Sequence, residues 1–138
     1  PHRWEFRHDH IGYNYRMPNI NAALGCAQLE NLDRYVADKR ETAACYAEFF
    51  KGKEDITFFT EPADCKSNYW LNAVVLKDKA AQLDFLEYTN DHGVMTRPVW
   101  ELMNRLPMFE HCETDGLENT EWLADRVVNI PSSVRLEN

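Results

Sequence analysis

Ser67-Asn68-Tyr69-Trp70-Leu71-Asn72-Ala73-Val74-Val75-Leu76 is the stretch on which the fold turns. Its aromatic and β-branched residues read as the strongest strand in the chain, with a polar loop before them and Lys77-Asp78 after. Working downstream, Asp78 suits a helix N-cap, and Leu83, Leu86 and Thr89 carry that helix to Asp91, where Gly93 closes it. Residues 94–97 read as the next strand, limited by Pro98. Residues 100–105 read as a short helix and Pro107-Met108-Phe109 as a loop. Asn119 or Thr120 then caps a helix carrying Trp122, Leu123 and Val127, and Val128-Asn129-Ile130 forms a last strand ended by Pro131.

Upstream, residues 56–60 form a short β-branched and aromatic strand ended by Glu61-Pro62. Before it, Pro18 suits a first helical turn, where its missing N–H costs nothing. Ile20, Ala23, Leu24 and Ala27 recur at helical spacing. They are followed by Leu29, Leu32 and Val36, then Ala43, Ala47 and Phe50, with Gly52 as the stop. Unbroken, this helix would run about 50 Å at 1.5 Å per residue, so a kink or break is expected near residues 29–31, where the apolar phase shifts. A long helix followed by β-β-α-β-α-β predicts a two-layer α/β (α+β) sandwich, with helices on one face of a mainly antiparallel sheet.

The chain has 138 residues, 44% hydrophobic and 12% aromatic, enough for one domain with a core and too few for two. A net charge of -8 argues against nucleic acid as the main partner. A basic cluster (Arg3, Arg7 and Arg16) nevertheless marks the opening stretch. No apolar run approaches the roughly 20 residues of a membrane span, and no signal peptide is evident, so a soluble, cytoplasmic protein is expected. Residues 1–17, rich in Trp, Phe and Tyr among Arg and His, read as the interior of a longer chain. Cys26, Cys45, Cys65 and Cys112 have no CxxC spacing and read as reduced, buried thiols. The five histidines are scattered, and no metal site is expected. GxSxG, HExxH, P-loop and GxGxxG motifs are absent, so the chain carries no self-sufficient catalytic set.

Gly12-Tyr13-Asn14-Tyr15-Arg16-Met17-Pro18-Asn19-Ile20-Asn21-Ala22-Ala23-Leu24-Gly25 resembles the GYNYRMPNxxAALG signature of the DegT/DnrJ/StrS sugar aminotransferases. The likeness continues through Gln28-Leu29, Leu32-Asp33, Lys39-Arg40 and Tyr46. Asn68-Tyr69-Trp70-Leu71-Asn72 and Thr96-Arg97-Pro98-Val99-Trp100 resemble the LegC-type branch, whereas many other members have His-Leu-Tyr where this chain has Trp70-Leu71-Asn72. The resemblance implies the small C-terminal domain of an aspartate-aminotransferase-type (fold type I) enzyme dependent on pyridoxal phosphate. Residues 1–17 would be a loop from the cofactor-domain junction, 18–52 a long or kinked connecting helix, and 53–138 the small α/β domain.

The same resemblance places the Schiff-base lysine upstream, in a glycine-rich context that this sequence lacks, so no catalytic residue is assigned and the chain alone is expected to be inactive. Partners would be the chain's own N-terminal cofactor domain, a second subunit in a homodimer, a nucleotide-linked 4-keto-6-deoxy sugar, and an amino donor, glutamate. In the family, the GYNYRM loop reaches the cofactor phosphate of the other subunit. Asn14 would donate to that phosphate and Arg16 would add a bidentate contact. The plain alternative is a turn-capping Asn14 and a surface salt bridge at Arg16. Tyr13 and Tyr15 are substrate contacts or core aromatics. Trp70 and Asn72 alternate with Tyr69 and Leu71 along the predicted strand, so if they face outward they stack on a sugar or a base. Arg97 and Trp100 fall in a segment that lines the sugar-nucleotide pocket of the family, with Arg97 as a pyrophosphate ligand or a structural ion pair. A reading from another class makes the chain a non-catalytic dimerisation or binding module.

Overall fold

The structure is a computed structural model that describes Trp4, residues 9–13 and residues 16–135. The long helix is broken as its phase shift predicts. α1 spans Asn19–Leu29 and α2 spans Leu32–Phe50. Between them, Asn31 has φ -106° and ψ 0°, and its side-chain amide donates back to the Ala27 carbonyl at 3.0 Å. That bond satisfies one of the carbonyls a helix C-terminus leaves open. Gly52, at φ 74°, ends the chain's helical course just beyond α2.

Four strands follow: β1 (Ile56–Phe58), β2 (Asn72–Leu76), β3 (Arg97–Pro98) and β4 (Val127–Ile130). They form one sheet in the order β1-β2-β4-β3, and every neighbouring pair is antiparallel. The register sets Phe58 opposite Val74, Val74 opposite Val128, and Asn72 opposite Ile130. These residues share one face with Leu76. α2 and α3 (Lys79–Asp91) cover that face, and Ala43 and Leu86 join the strands' apolar residues in a single buried cluster. Tyr46 and Phe50 of α2 close it from the side, with the Tyr46 ring 5.9 Å from Phe58. The predicted two-layer arrangement is the one observed.

Asp78 caps α3, its carboxylate accepting the Ala81 N–H at 2.8 Å. Gln82, buried on the same helix, donates to the carbonyls of Ala124 and Val127 at 2.9 and 2.8 Å. It thereby fixes the turn between α4 (Glu118–Ala124) and β4.

Several predicted boundaries are corrected. The strand expected over residues 67–76 begins only at Asn72. Before it, the Ser67 hydroxyl accepts the Tyr69 N–H at 2.9 Å and the Asn68 side chain accepts the Trp70 N–H at 3.0 Å. Such local bonds compete with a strand ladder, and Tyr69 lies in the left-handed region at φ 47°. The strand expected over 94–97 shrinks to Arg97–Pro98, because Gly93 turns at φ 77° and the Val94 N–H is spent on the Thr89 carbonyl. Residues 100–105 keep only a 3-10 turn at Met103–Arg105. α4 starts after Leu117, itself left-handed at φ 53°, without a side-chain cap from Asn119 or Thr120. Val127 belongs to β4 and not to that helix. The four cysteines are free but exposed, not buried. On α1 this follows directly, because none of its residues is buried.

Candidate ligand cleft

Alternation along the strands decides what the uncovered sheet face offers. Arg97 pairs with Asn129, and Asn129 with Ala73, so these side chains leave the sheet away from α2 and α3. Here a cleft of about 810 Å3 opens between the turn leading into β2, the segment after β3, and the residues following β4. That volume suits a drug-sized or nucleotide-sized ligand. Three of the four tryptophans (Trp4, Trp70 and Trp100) line it, with the last two about two-thirds exposed.

Charge in the cleft runs against that of the whole chain. Lys39, Lys79, Arg97 and Arg105 line it against two carboxylates, Glu101 and Asp125. Lys79 pairs with Asp125 at 3.7 Å, and Arg105 lies 3.9 Å from Glu101 and 3.6 Å from Glu121. Two positive charges are therefore in excess among the described lining residues, on a chain that carries -8 overall. A concave, partly apolar site focuses that local charge toward an anion.

The turn that presents Trp70 is held by charge. Arg40 meets Glu61 in a two-pronged pair, Nη2 to Oε1 at 2.6 Å and Nη1 to Oε2 at 3.0 Å. Arg40 Nη1 also donates to the Ser67 carbonyl at 2.6 Å, and Glu61 accepts the Ser67 N–H. The Arg40 hydrogen bonds, followed by the Ser67 N–H, hold the Glu61 carboxyl far below its usual range, at about 2. The Tyr69 hydroxyl accepts the Glu61 N–H, and its ring stacks on Phe58 with centroids 6.4 Å apart. Beside Arg40, the Lys39 ammonium donates to the Trp70 carbonyl at 3.3 Å and to the Ser132 carbonyl.

Of the residues singled out from sequence, Trp70, Arg97 and Trp100 meet in this cleft. Asn72 does not. It is buried on the opposite, core face, with both ends of its amide unpaired, so the expectation that it faces outward beside Trp70 is corrected. The physical reason is the turn just described, which breaks the alternation between residues 70 and 72. Tyr13 and Arg16 are exposed and outside the cleft. Asn14 and Tyr15 lie outside the described residues. Lys39, Lys79, Arg105, Asn129 and Ser132 were not singled out for the site. Lys39 had a legible signal, because it stands at helical spacing on the stripe that continues through Ala43, Tyr46 and Phe50.

Comparison with solved structures gives the class. Helicobacter pylori PseC, an aminotransferase involved in the biosynthesis of pseudoaminic acid, shares the fold with a TM-score of 0.79 at 21% identity, over 99% of this chain and 38% of its own. The sugar aminotransferase CalS13 from Micromonospora echinospora aligns with a TM-score of 0.73 at 28% identity, over 92% of this chain and 33% of its own. GDP-perosamine synthase of Escherichia coli O157:H7 is 32% identical over 136 residues, which cover 97% of this chain and 36% of that protein. Residues 2–138 match the DegT/DnrJ/EryC1/StrS aminotransferase family, and the chain belongs to that family. It spans about a third of the length of these relatives.

Proposed function

We propose that this chain is the C-terminal part of a pyridoxal-phosphate-dependent aminotransferase that passes an amino group, from glutamate, to C4 of a nucleotide-linked 4-keto-6-deoxy sugar. The observation that carries this reading is the cleft. It combines an excess of positive charge with three indole rings on an otherwise acidic member of an aminotransferase family. A nucleotide sugar has a dianionic diphosphate between two ring systems, which is the complement of that lining. A cytoplasmic enzyme whose product enters bacterial surface-glycan synthesis, acting as a homodimer, is the setting that fits.

Each residue then has a task. Arg97 faces the diphosphate and offers a planar, permanently charged fork to its oxygens. Trp70 and Trp100 offer exposed faces on which a base or a sugar stacks. Together they fix the orientation of the substrate and exclude water from it, which is worth more to the reaction than affinity alone. Pyridoxal phosphate, when bound, supplies the exchange of carbonyl for amine between donor and acceptor. The described residues suit its phosphate and not its aldehyde. Arg16, exposed ahead of α1, carries a planar, permanently charged group of the kind that suits phosphate oxygens. Lys39 has its ammonium engaged by two carbonyls, and Lys79 is held against Asp125. Asn14 and Arg16 would hold the phosphate, and Tyr13 and Tyr15 would approach the substrate from the same loop. The lysine that binds the cofactor covalently would come from the preceding domain of the same enzyme.

The test is to incubate the full-length protein with pyridoxal phosphate, glutamate and GDP-4-keto-6-deoxymannose or its dTDP-linked counterpart, and follow the 4-amino sugar by mass spectrometry. Product with one of these acceptors is expected, together with its loss in Arg97→Ala. Uptake of cofactor with no amino-sugar product from either acceptor would exclude the proposed substrate class. After incubation of the isolated chain with pyridoxal phosphate and removal of the excess, no cofactor absorbance should remain with the protein.

A further inference from the structure

Four consecutive charged residues of α2, Asp38-Lys39-Arg40-Glu41, would ordinarily be taken for a solvated helix face. Here each one holds another segment. Asp38 and Glu41 grip the Arg135 guanidinium at 2.8 and 2.6 Å, tying the segment after β4 to the helix. Arg40 takes Glu61 and the Ser67 carbonyl. Lys39 takes the carbonyls of Trp70 and Ser132. Ser67 and Trp70 are the two ends of the turn that leads into β2, and Ser132 follows β4, the strand paired with β2. The Ser132 hydroxyl, in turn, accepts the Asn72 N–H at 2.7 Å and donates to the Ile130 carbonyl at 2.7 Å. The segment after β4 is therefore also stitched to the first residue of β2.

We propose that Lys39 is a positioning residue for the cleft, tying the turn before β2 to the segment after β4 and presenting the Trp70 ring to the ligand. Two features point to this role. Its ammonium donates to a backbone carbonyl in each of the two segments that continue the β2–β4 pair, so its loss removes the tie between α2 and the turn that carries Trp70. The turn it holds also contains Tyr69 in the left-handed region, a conformation that costs a non-glycine residue energy and persists only when its surroundings impose it. Arg40 restrains the far end of that turn and Lys39 the end that carries Trp70. A site held this way binds through preorganisation. Its consequence for substrate rests on the nucleotide-sugar reading above, whereas the effect on Trp70 does not.

The experiment uses the full-length protein labelled with 5-fluorotryptophan, the Trp70 resonance being assigned by Trp70→Phe. In Lys39→Met, the 19F resonance of Trp70 is expected to shift or broaden, while that of Trp122, which does not line the cleft, stays in place. Lys39→Arg, which keeps charge and donors, should bring Trp70 back toward its original position. Titration with GDP and with dTDP then reads the function. Lys39→Met should weaken binding on the order of 10-fold, the scale of one misplaced base-stacking ring. Lys39→Met combined with Trp70→Ala should bind no worse than Trp70→Ala alone, because the lysine acts through the ring. A Trp70 resonance unmoved by Lys39→Met overturns the proposal, and so do fully additive losses in the double variant, which would make Lys39 a direct anion contact. If the unmodified protein binds neither nucleotide while the Trp70 resonance responds, the substrate reading fails and the positioning role stands. Should Lys39→Met not fold, Lys39→Gln removes the charge, keeps one donor, and is read in the same way.

Discussion

Glu61 shows how much of this site is decided by single residues. Its carboxylate accepts from Arg40 and from the Ser67 N–H, so both favour the ionised form and its pKa falls from 4.5 to about 2. A carboxyl whose folded pKa is depressed contributes stability above its unfolded pKa and loses it as the pH falls through the folded value. Glu61→Gln should therefore lower the melting temperature at pH 7. The gap between variant and parent should close between pH 4.5 and 2, as the parent's carboxyl becomes protonated. Melting curves across that range check this, and a gap that stays constant would detach Glu61 from the stability of the turn. None of this pairing was legible in the sequence. Arg40 and Glu61 are 21 residues apart, and nothing in local spacing joins them. The reverse error occurred at Asn72, which strand alternation placed beside Trp70. The side-chain bonds of Ser67 and Asn68 spoil that alternation, so Asn72 is buried while Trp70 is exposed.

Among the elements, legibility follows how strongly the local sequence dictates structure. α3 was readable from end to end because its cap, its apolar period and its terminal glycine agree, and the structure uses all three. The break between α1 and α2 was readable because the apolar phase itself shifts there. β3 and the 3-10 turn were drawn too long, since their limits are set by tertiary pairing with β4 and by glycine geometry at residue 93. The contrast between α3 and α1 is measurable in the isolated chain. Asp78→Ala removes a side-chain cap and should cost roughly 0.5–2 kcal/mol. Ile20→Ala, on a helix with no buried residue, should stay within about 0.5 kcal/mol. Urea denaturation of the two variants compares them directly. A larger loss at Ile20 would mean that α1 contributes to the fold of this unit.

At the scale of the whole molecule, the two faces of the sheet have separate tasks. One is closed by α2 and α3 into the core, and the other is left to the cleft. α1 takes part in neither. Its Ile20 and Leu24, with Met17 ahead of it, are 81%, 60% and 75% exposed, and Ile11 and Tyr13 are exposed as well. Apolar residues at helical spacing with no buried member are a surface in search of cover, and soluble monomers rarely leave such a patch open beyond a few hundred Å2. In the proposed enzyme the preceding domain or the second subunit would supply that cover, which is why the family signature could be read here while its partner surface could not. The isolated chain has only copies of itself, so it should associate as its concentration rises. Sedimentation velocity over a hundredfold concentration range is expected to show growing species. The double variant Ile20→Lys, Leu24→Lys should return the particle to a monomer without changing its melting temperature, because neither side chain is part of the core. A chain that stays monomeric at the highest concentration would remove α1 as a docking surface. Association that persists in the double variant would shift the contact elsewhere, with the tryptophan-lined cleft the next surface to substitute.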